Sequence, residues 1–303
     1  MDPLISIIIP TYNHAHFLKK SLKSVLNQKY ENWEAIVVDN NSKDATNKVI
    51  SDFNDNRIKL IKINNNGIIA KSRNLGIKQA KGNWIAFLDS DDLWYPTKLS
   101  SVLTILQSEN KYDVVVTDEL MIDVETGNKK ILKNGPYVKD FYKTMLLYGN
   151  RLSTSATIVR SSFLEKYGIL FPEERDFVTV EDYDLWLNLA LNKAQFKFIP
   201  SVQGEYTIHD NNCSQDSSMY FHNLHRLLEF HASKLVHIKK YKNISSRLIL
   251  IRAQRLLEKR ERYLAFLEIS SINFLWLIKF SLLKFNIVKK IFRVTTNFFC
   301  SKK

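Results

Sequence analysis

Apolar residues in this chain come in short unbroken runs separated by longer stretches with helical periodicity. Residues 4–9 are such a run, the pattern of a strand buried on both faces. Residues 16–28 follow, with Phe17, Leu18, Leu22, Val25 and Leu26 on one side of a helical wheel. The alternation repeats. Strands are expected at 33–38, 58–63 and 84–88, and helices at 42–53, with Ser42 as N-cap, and at 68–80. Farther along, a helix is expected from about residue 93 with Asp92 as its cap, another over 183–191, and a strand over 202–208. Strand and helix in strict alternation predict an α/β fold: a largely parallel sheet with helices on both faces, whose ligands gather at the carboxyl ends of the strands.

The polar residues after each strand therefore carry the chemistry. They are Pro10-Thr11-Tyr12-Asn13, Asp39-Asn40-Asn41-Ser42-Lys43-Asp44 and Asp89-Ser90-Asp91-Asp92. A nucleotide is the natural ligand of such an edge, yet the eight glycines never stand two apart, which excludes the standard glycine-rich phosphate loops. Phosphate charge must be met by Arg73, by Lys71, or by a divalent ion on Asp89-Ser90-Asp91. Mg²⁺ or Mn²⁺ commonly takes one or two protein carboxylates and completes its shell with phosphate oxygens and water, so Asp91 is the preferred ligand and Asp89 is left to face the ribose.

These segments resemble the successive signatures of glycosyltransferase family 2. They are Ser6 to Asn13, Val37 to Thr46, Ala70 to Gly76 and Phe87 to Asp92, continuing to Glu181-Asp182-Tyr183-Asp184-Leu185-Trp186-Leu187 and Tyr206-Thr207-Ile208-His209. The resemblance covers roughly residues 4–215. It implies a GT-A fold and bacterial, inverting sugar transfer from a nucleoside diphosphate, with a UDP-sugar favoured. It also implies that Pro10, Thr11, Tyr12 and Asp39 line the nucleoside pocket, that Arg73 approaches base or phosphates, and that His209 completes the metal site. Asp182 would be the general base, with Glu181 orienting it or touching the acceptor. Two departures stand out: Asn40 follows Asp39 where the family often has a second Asp, and Thr207 stands where it often has Arg.

Charge divides the chain. Residues 1–218 hold 26 Lys and Arg against 27 Asp and Glu, whereas residues 219–303 hold 18 against 4, so the net charge of +13 resides in the C-terminal segment. The expected organisation is a catalytic domain over 1–218, with a nucleotide-sugar half to about 118 and an acceptor half after it, followed by a basic helical region over 219–303. Residues 249–267 have an amphipathic helical pattern. In 269–303, Phe and Trp interleave with Lys and Arg, a composition suited to docking on an anionic membrane without spanning it. This implies an enzyme on the cytoplasmic face of the membrane, acting on a lipid-linked or other surface-glycan acceptor. Met1-Asp2-Pro3-Leu4 does not read as a secretory signal, and Cys213 and Cys300 make no metal spacing. His14 and His16 read as surface residues. A sugar-phosphate nucleotidyltransferase would need a Gly-rich, Arg-containing first loop in place of Pro10-Thr11-Tyr12-Asn13. Nucleic-acid binding would need the cations on a folded recognition element.

Overall fold

The computed structural model describes residues 2–109, 111–210 and 217–234. The basic stretch 235–303, including the amphipathic 249–267 and aromatic-basic 269–303 segments, lies outside the described residues, as does Cys213. The chain divides into two compact units: residues 1–145 with 150–215, and residues 146–149 with 216–303.

The first unit opens with β1 (Ile5–Thr11), α1 (Ala15–Leu26), β2 (Trp33–Asp39), α2 (Thr46–Phe53), β3 (Ile58–Lys62), α3 (Ile69–Gln79) and β4 (Trp84–Phe87). It continues through β5 (Leu93–Trp94), α4 (Lys98–Ser108), β6 (Val114–Asp123), β7 (Lys129–Leu132) and α5 (Phe141–Tyr148), whose last turn belongs to the second unit. Then come β8 (Thr157–Arg160), α6 (Ser161–Tyr167), α7 (Glu181–Leu191) and β9 (Phe196–Ile208). In the second unit, α8 (Ser217–Ser233) buries Leu224, Leu227, Leu228, His231 and Ala232, one helical stripe.

Among the described residues the strands make one nine-stranded sheet, ordered β3-β2-β1-β4-β8-β6-β9-β5, with β7 beside β6. The α/β class holds throughout, while the parallel order is confined to part of the sheet. β3, β2, β1 and β4 run parallel, as alternation with helices requires, but β8 is antiparallel to both β4 and β6. β7 folds back on β6 through a tight turn in which the Asp123 side chain accepts from Glu125 and Thr126 N–H. β9 pairs in parallel with β6, with register shifts at Thr117/Asp118 and Asp118/Leu120. Pro200, which has no N–H to donate, falls in the first of these bulges.

β1 and β2 are buried along their whole length because helices cover both faces. Ile5, Ile7 and Ile9 pack in one cluster with Leu18, Leu22 and Val25 of α1 and Leu99 and Val102 of α4. Ile8 meets α3 on the opposite face, the period of two expected for a strand.

Two expected caps fall elsewhere. Ser42 lies ahead of α2, its hydroxyl committed to Asp39 Oδ1 at 2.5 Å, and Asp44 takes the Thr46 N–H instead. The same Asp44 carboxylate accepts from Ala15 N–H, so one side chain caps α1 and α2 together. Asp92 caps nothing. It is buried, residues 93–94 form a strand paired with β9, and the helix begins only at Lys98.

Gly76 sets how closely α3 approaches the sheet: a Cβ there would stand 2.4 Å from Ile8 Cγ2. Ile8 is fully buried in a strand with no room to retreat. Overpacking costs ~1–3 kcal/mol and outweighs the ~1 kcal/mol that Ala gains over Gly in a helix. Gly76→Ala is expected to lower the urea midpoint with an unchanged m-value; a raised midpoint would show that α3 can lift off the sheet.

Candidate active site

A cavity of about 780 Å³ opens at the carboxyl ends of β1, β2 and β4. Pro10, Thr11 and Tyr12 line it from the end of β1. Asp39 is the register partner of Thr11 and directly precedes the cavity-lining Asn40. The loops after β1 and β2 are laced together. Ser42 donates to Asp39 Oδ1 and accepts from Asn13 N–H, while Asn13 Oδ1 accepts from Lys43 N–H. Asn13 and Asn41 both have positive φ, a conformation Asn tolerates better than most side chains. The lacing leaves Asp39 Oδ2 and Thr11 Oγ1 buried without hydrogen-bond partners. A buried polar atom left unpaired costs roughly 1–3 kcal/mol, so this corner beside the cavity holds two unmet polar atoms at a cost in stability.

Arg73, buried on α3, donates to Asp89 Oδ1 and to Glu181 Oε1, each at 2.8 Å, with Phe171 beneath its guanidinium. Burial alone would lower its pKa, but Asp89 and Glu181 outweigh that and raise it. Across the loop, His209 Nε2 meets Asp91 Oδ2 at 3.0 Å, and the His209 ring stacks on Phe17. Burial and the neighbouring Asp89 raise the Asp91 carboxyl, opposed by the His209 hydrogen bond. One carboxylate oxygen and one imidazole nitrogen fit a divalent ion that draws its remaining ligands from phosphate and water. Among the described residues no three His, Cys, Asp or Glu side chains form a closed metal site.

The loop carrying Asp91 is held from behind. Asp92 Oδ1 accepts from Thr207 N–H and its Oδ2 from the Ser155 hydroxyl, which in turn accepts from Asp89 N–H. Asp92 thus ties the Asp91 loop to the strand that ends beside His209. Below it lie Lys98 and Glu119, both fully buried. Burial pushes the Lys98 ammonium down to about 8 and raises the Glu119 carboxyl.

Asp182 lines the opposite wall in the first turn of α7. Its Oδ2 accepts from Asn150 Nδ2 at 3.2 Å, and its Oδ1 accepts from Tyr183 N–H. Burial first and the Glu181 charge next push its carboxyl up to about 7, against the pull of Arg73. That value suits proton uptake near neutral pH. Just ahead, Thr179 holds a φ of 73° in the cavity wall, strain of ~1–2 kcal/mol for a β-branched residue. Trp186 is fully buried near Phe87 and Phe171.

Pro10, Thr11, Tyr12, Arg73, Asp89, Asp91, Glu181 and Asp182 share this cavity wall, and His209 reaches it through Asp91. Arg73 faces carboxylates with two of its nitrogens. His14, read from the sequence as a surface residue, lines the cavity and shares a hydrogen bond with Ser90. Its place two residues past Tyr12 was the available signal. Asn150, Arg151 and Lys133 also line the cavity, and nothing local in the sequence marked them.

The parallel strand edge, the acidic loop and the carboxylate at the start of α7 are the layout of a sugar-nucleotide-dependent transferase of the GT-A fold. Residues 6–167 match the family described as Glycosyl transferase family 2. The chain belongs to glycosyltransferase family 2. It is 36% identical over 188 residues to the Escherichia coli UDP-Glc:alpha-D-GlcNAc-diphosphoundecaprenol beta-1,3-glucosyltransferase WfgD, covering 62% of this chain and 70% of the relative. To the E. coli WfaP, a protein of the same description, it is 33% identical, covering 70% of this chain and 80% of that one. Among solved structures, S. aureus TarS 1-349 in complex with UDP-GlcNAc superposes with a TM-score of 0.60 at 21% identity, over 83% of this chain and 71% of that one. The Pyrobaculum calidifontis mannosyltransferase PcManGT, in complex with GDP-Man and Mn²⁺, gives 0.59 at 16% identity, over 98% and 81%.

The brace behind the acidic loop makes its own prediction. Asp92→Asn keeps an acceptor for Thr207 N–H and a partner for Ser155, whereas Asp92→Ala strands both. The alanine variant is expected to lose ~1–3 kcal/mol more stability than the asparagine variant in chemical denaturation. Equal losses would show that the brace carries no weight.

Proposed function

We propose that this glycosyltransferase is an inverting, divalent-ion-assisted enzyme that moves a sugar from a UDP-sugar to a hydroxyl of a lipid-linked diphosphate glycan. The observation that carries the reading is that one cavity is lined by both the Asp91 loop and the Asp182 carboxylate, with Arg73 bridging Asp89 and Glu181 between them. Asp39 Oδ2 and Thr11 Oγ1 would meet the polar edge of the nucleoside, and Tyr12, exposed at the cavity mouth, would cover it. Asp91 and His209 would hold Mn²⁺ or Mg²⁺, and such an ion would supply positive charge for a departing diphosphate. Asp182 would accept the proton of the acceptor hydroxyl as that oxygen bonds to the anomeric carbon. The carbon–oxygen bond to the diphosphate breaks on the opposite face, inverting the configuration. Glu181, tied to Arg73, would hold the base in place.

The acceptor class is supported by the names of WfgD and WfaP, both of which act on a GlcNAc-diphosphoundecaprenol. Among the described residues no helix is long and apolar enough to cross a membrane. The aromatic and basic composition of 269–303 supports peripheral attachment to an anionic membrane, with catalysis on its cytoplasmic side.

Three measurements test this. UDP is expected to raise the melting temperature more with Mn²⁺ than with EDTA, and Asp91→Ala to abolish the difference; a metal-independent shift would remove the ion from the reading. Asp182→Asn is expected to retain UDP binding while turnover falls ~10²–10⁴-fold. Because Asp182 is protonated below about 7 and cannot then take a proton, kcat/KM should rise with pH and level off above that value. A variant with near-normal turnover would place the base elsewhere.

A further inference from the structure

Among the described residues the cavity wall carries three Lys or Arg side chains: Arg73, Lys133 and Arg151. Arg73 is neutralised by Asp89 and Glu181. Neither Lys133 nor Arg151 forms an ion pair among the described residues, and Arg151 Nε is buried with no hydrogen-bond partner. The two segments that bear them are stitched side by side. Gly135 N–H donates to Arg151 carbonyl oxygen, Ser153 N–H donates to Asn134 Oδ1, and Asn134 is itself anchored to β6 through Asp118 and Thr117. The backbone around both cations is therefore fixed, and they bring to this side of the cavity two positive charges that no carboxylate offsets in an ion pair among the described residues.

We infer that Arg151, with Lys133, is the subsite for the diphosphate of the acceptor. The inference rests on the acceptor class proposed above and assigns its anionic group to named residues. Arginine presents several donors in a planar fork that matches phosphate oxygens, and lysine adds a mobile charge at the exposed rim. Location decides which diphosphate is meant. Asn150, the neighbour of Arg151, bonds the Asp182 carboxylate. In an inverting displacement the base and the departing diphosphate lie on opposite faces of the sugar, so groups flanking the base stand on the acceptor's side. The Asp91–His209 pair is left to serve the donor. Thr207 adds no side-chain cation there, and its N–H is taken by Asp92.

The test compares two synthetic acceptors bearing the same sugar, a short-chain lipid diphosphate and an uncharged alkyl glycoside, with UDP affinity measured separately by calorimetry in the presence of Mn²⁺. Wild type is expected to favour the diphosphate acceptor. Arg151→Ala should raise its KM roughly 10- to 100-fold, with the preference over the glycoside collapsing towards one. Arg151→Lys should restore part of it, and Lys133→Ala should give a smaller loss. UDP affinity should stay at the wild-type value, which also reports that each variant is folded. If UDP affinity falls as acceptor KM rises, the arginine serves the donor and the inference is overturned. Unchanged preference in Arg151→Ala overturns it as well. If wild type binds UDP yet shows no preference for the diphosphate acceptor, the acceptor class of the proposed function fails, and this subsite with it.

Discussion

A single buried guanidinium sets the spacing on which the rest of the cavity depends. Arg73 leaves α3 between two carboxylates, one at the end of β4 and one at the start of α7, and binds both. None of the three groups could be buried alone without a desolvation cost of several kcal/mol, so each keeps the others in place. Because Arg73 lowers and Glu181 raises the Asp182 carboxyl, the geometry of this bridge also tunes the group beside it. The two halves of the cavity are joined by an ion triad, so the distance between the acidic loop and the α7 carboxylates is fixed by hydrogen-bond lengths rather than by loop packing.

A second layer of order comes from short polar side chains that replace helix caps. Asp39, Ser42, Asn13 and Asp44 satisfy loop and helix N–H groups in a closed circuit across the ends of β1 and β2. Asp44 stays well ionised because hydrogen bonds from Thr46 and Ala15 outweigh the effect of its burial. The circuit fixes the loop backbones while leaving one Asp39 oxygen and the Thr11 hydroxyl buried without hydrogen-bond partners.

How far the sequence discloses this depends on the range of each interaction. The first four strands and their helices follow from local periodicity, and the polar residues at their ends follow from the parallel order. The antiparallel half depends on pairings between distant strands, such as β4 with β8, which no local pattern encodes. Asp92 shows the limit most clearly. By local sequence it is a good helix cap, but its partner Thr207 is 115 positions away, and Ser155 is 63. Arg151 carries no local signal for a like reason: its surroundings are made by Gly135 and by Asn150's bond to α7, neither of which forms a motif. Asp182 and Glu181 were legible only through resemblance, because carboxylates in a helix's first turn ordinarily serve the helix dipole.

The β6–β7 hairpin has a consequence for how such enzymes diversify. Its turn is self-contained, with Asp123 closing it through Glu125, Thr126 and Gly127. Among the described residues β7 pairs only with β6, off the main order of the sheet. Yet Leu132, Lys133 and Asn134, where the hairpin ends, line the cavity. A segment that can change length at its tip without disturbing the parallel strands, while its base shapes one wall of the site, is a natural place for grafting. Exchanging it between related chains would vary what one side of the cavity accepts and leave the parallel-strand framework untouched.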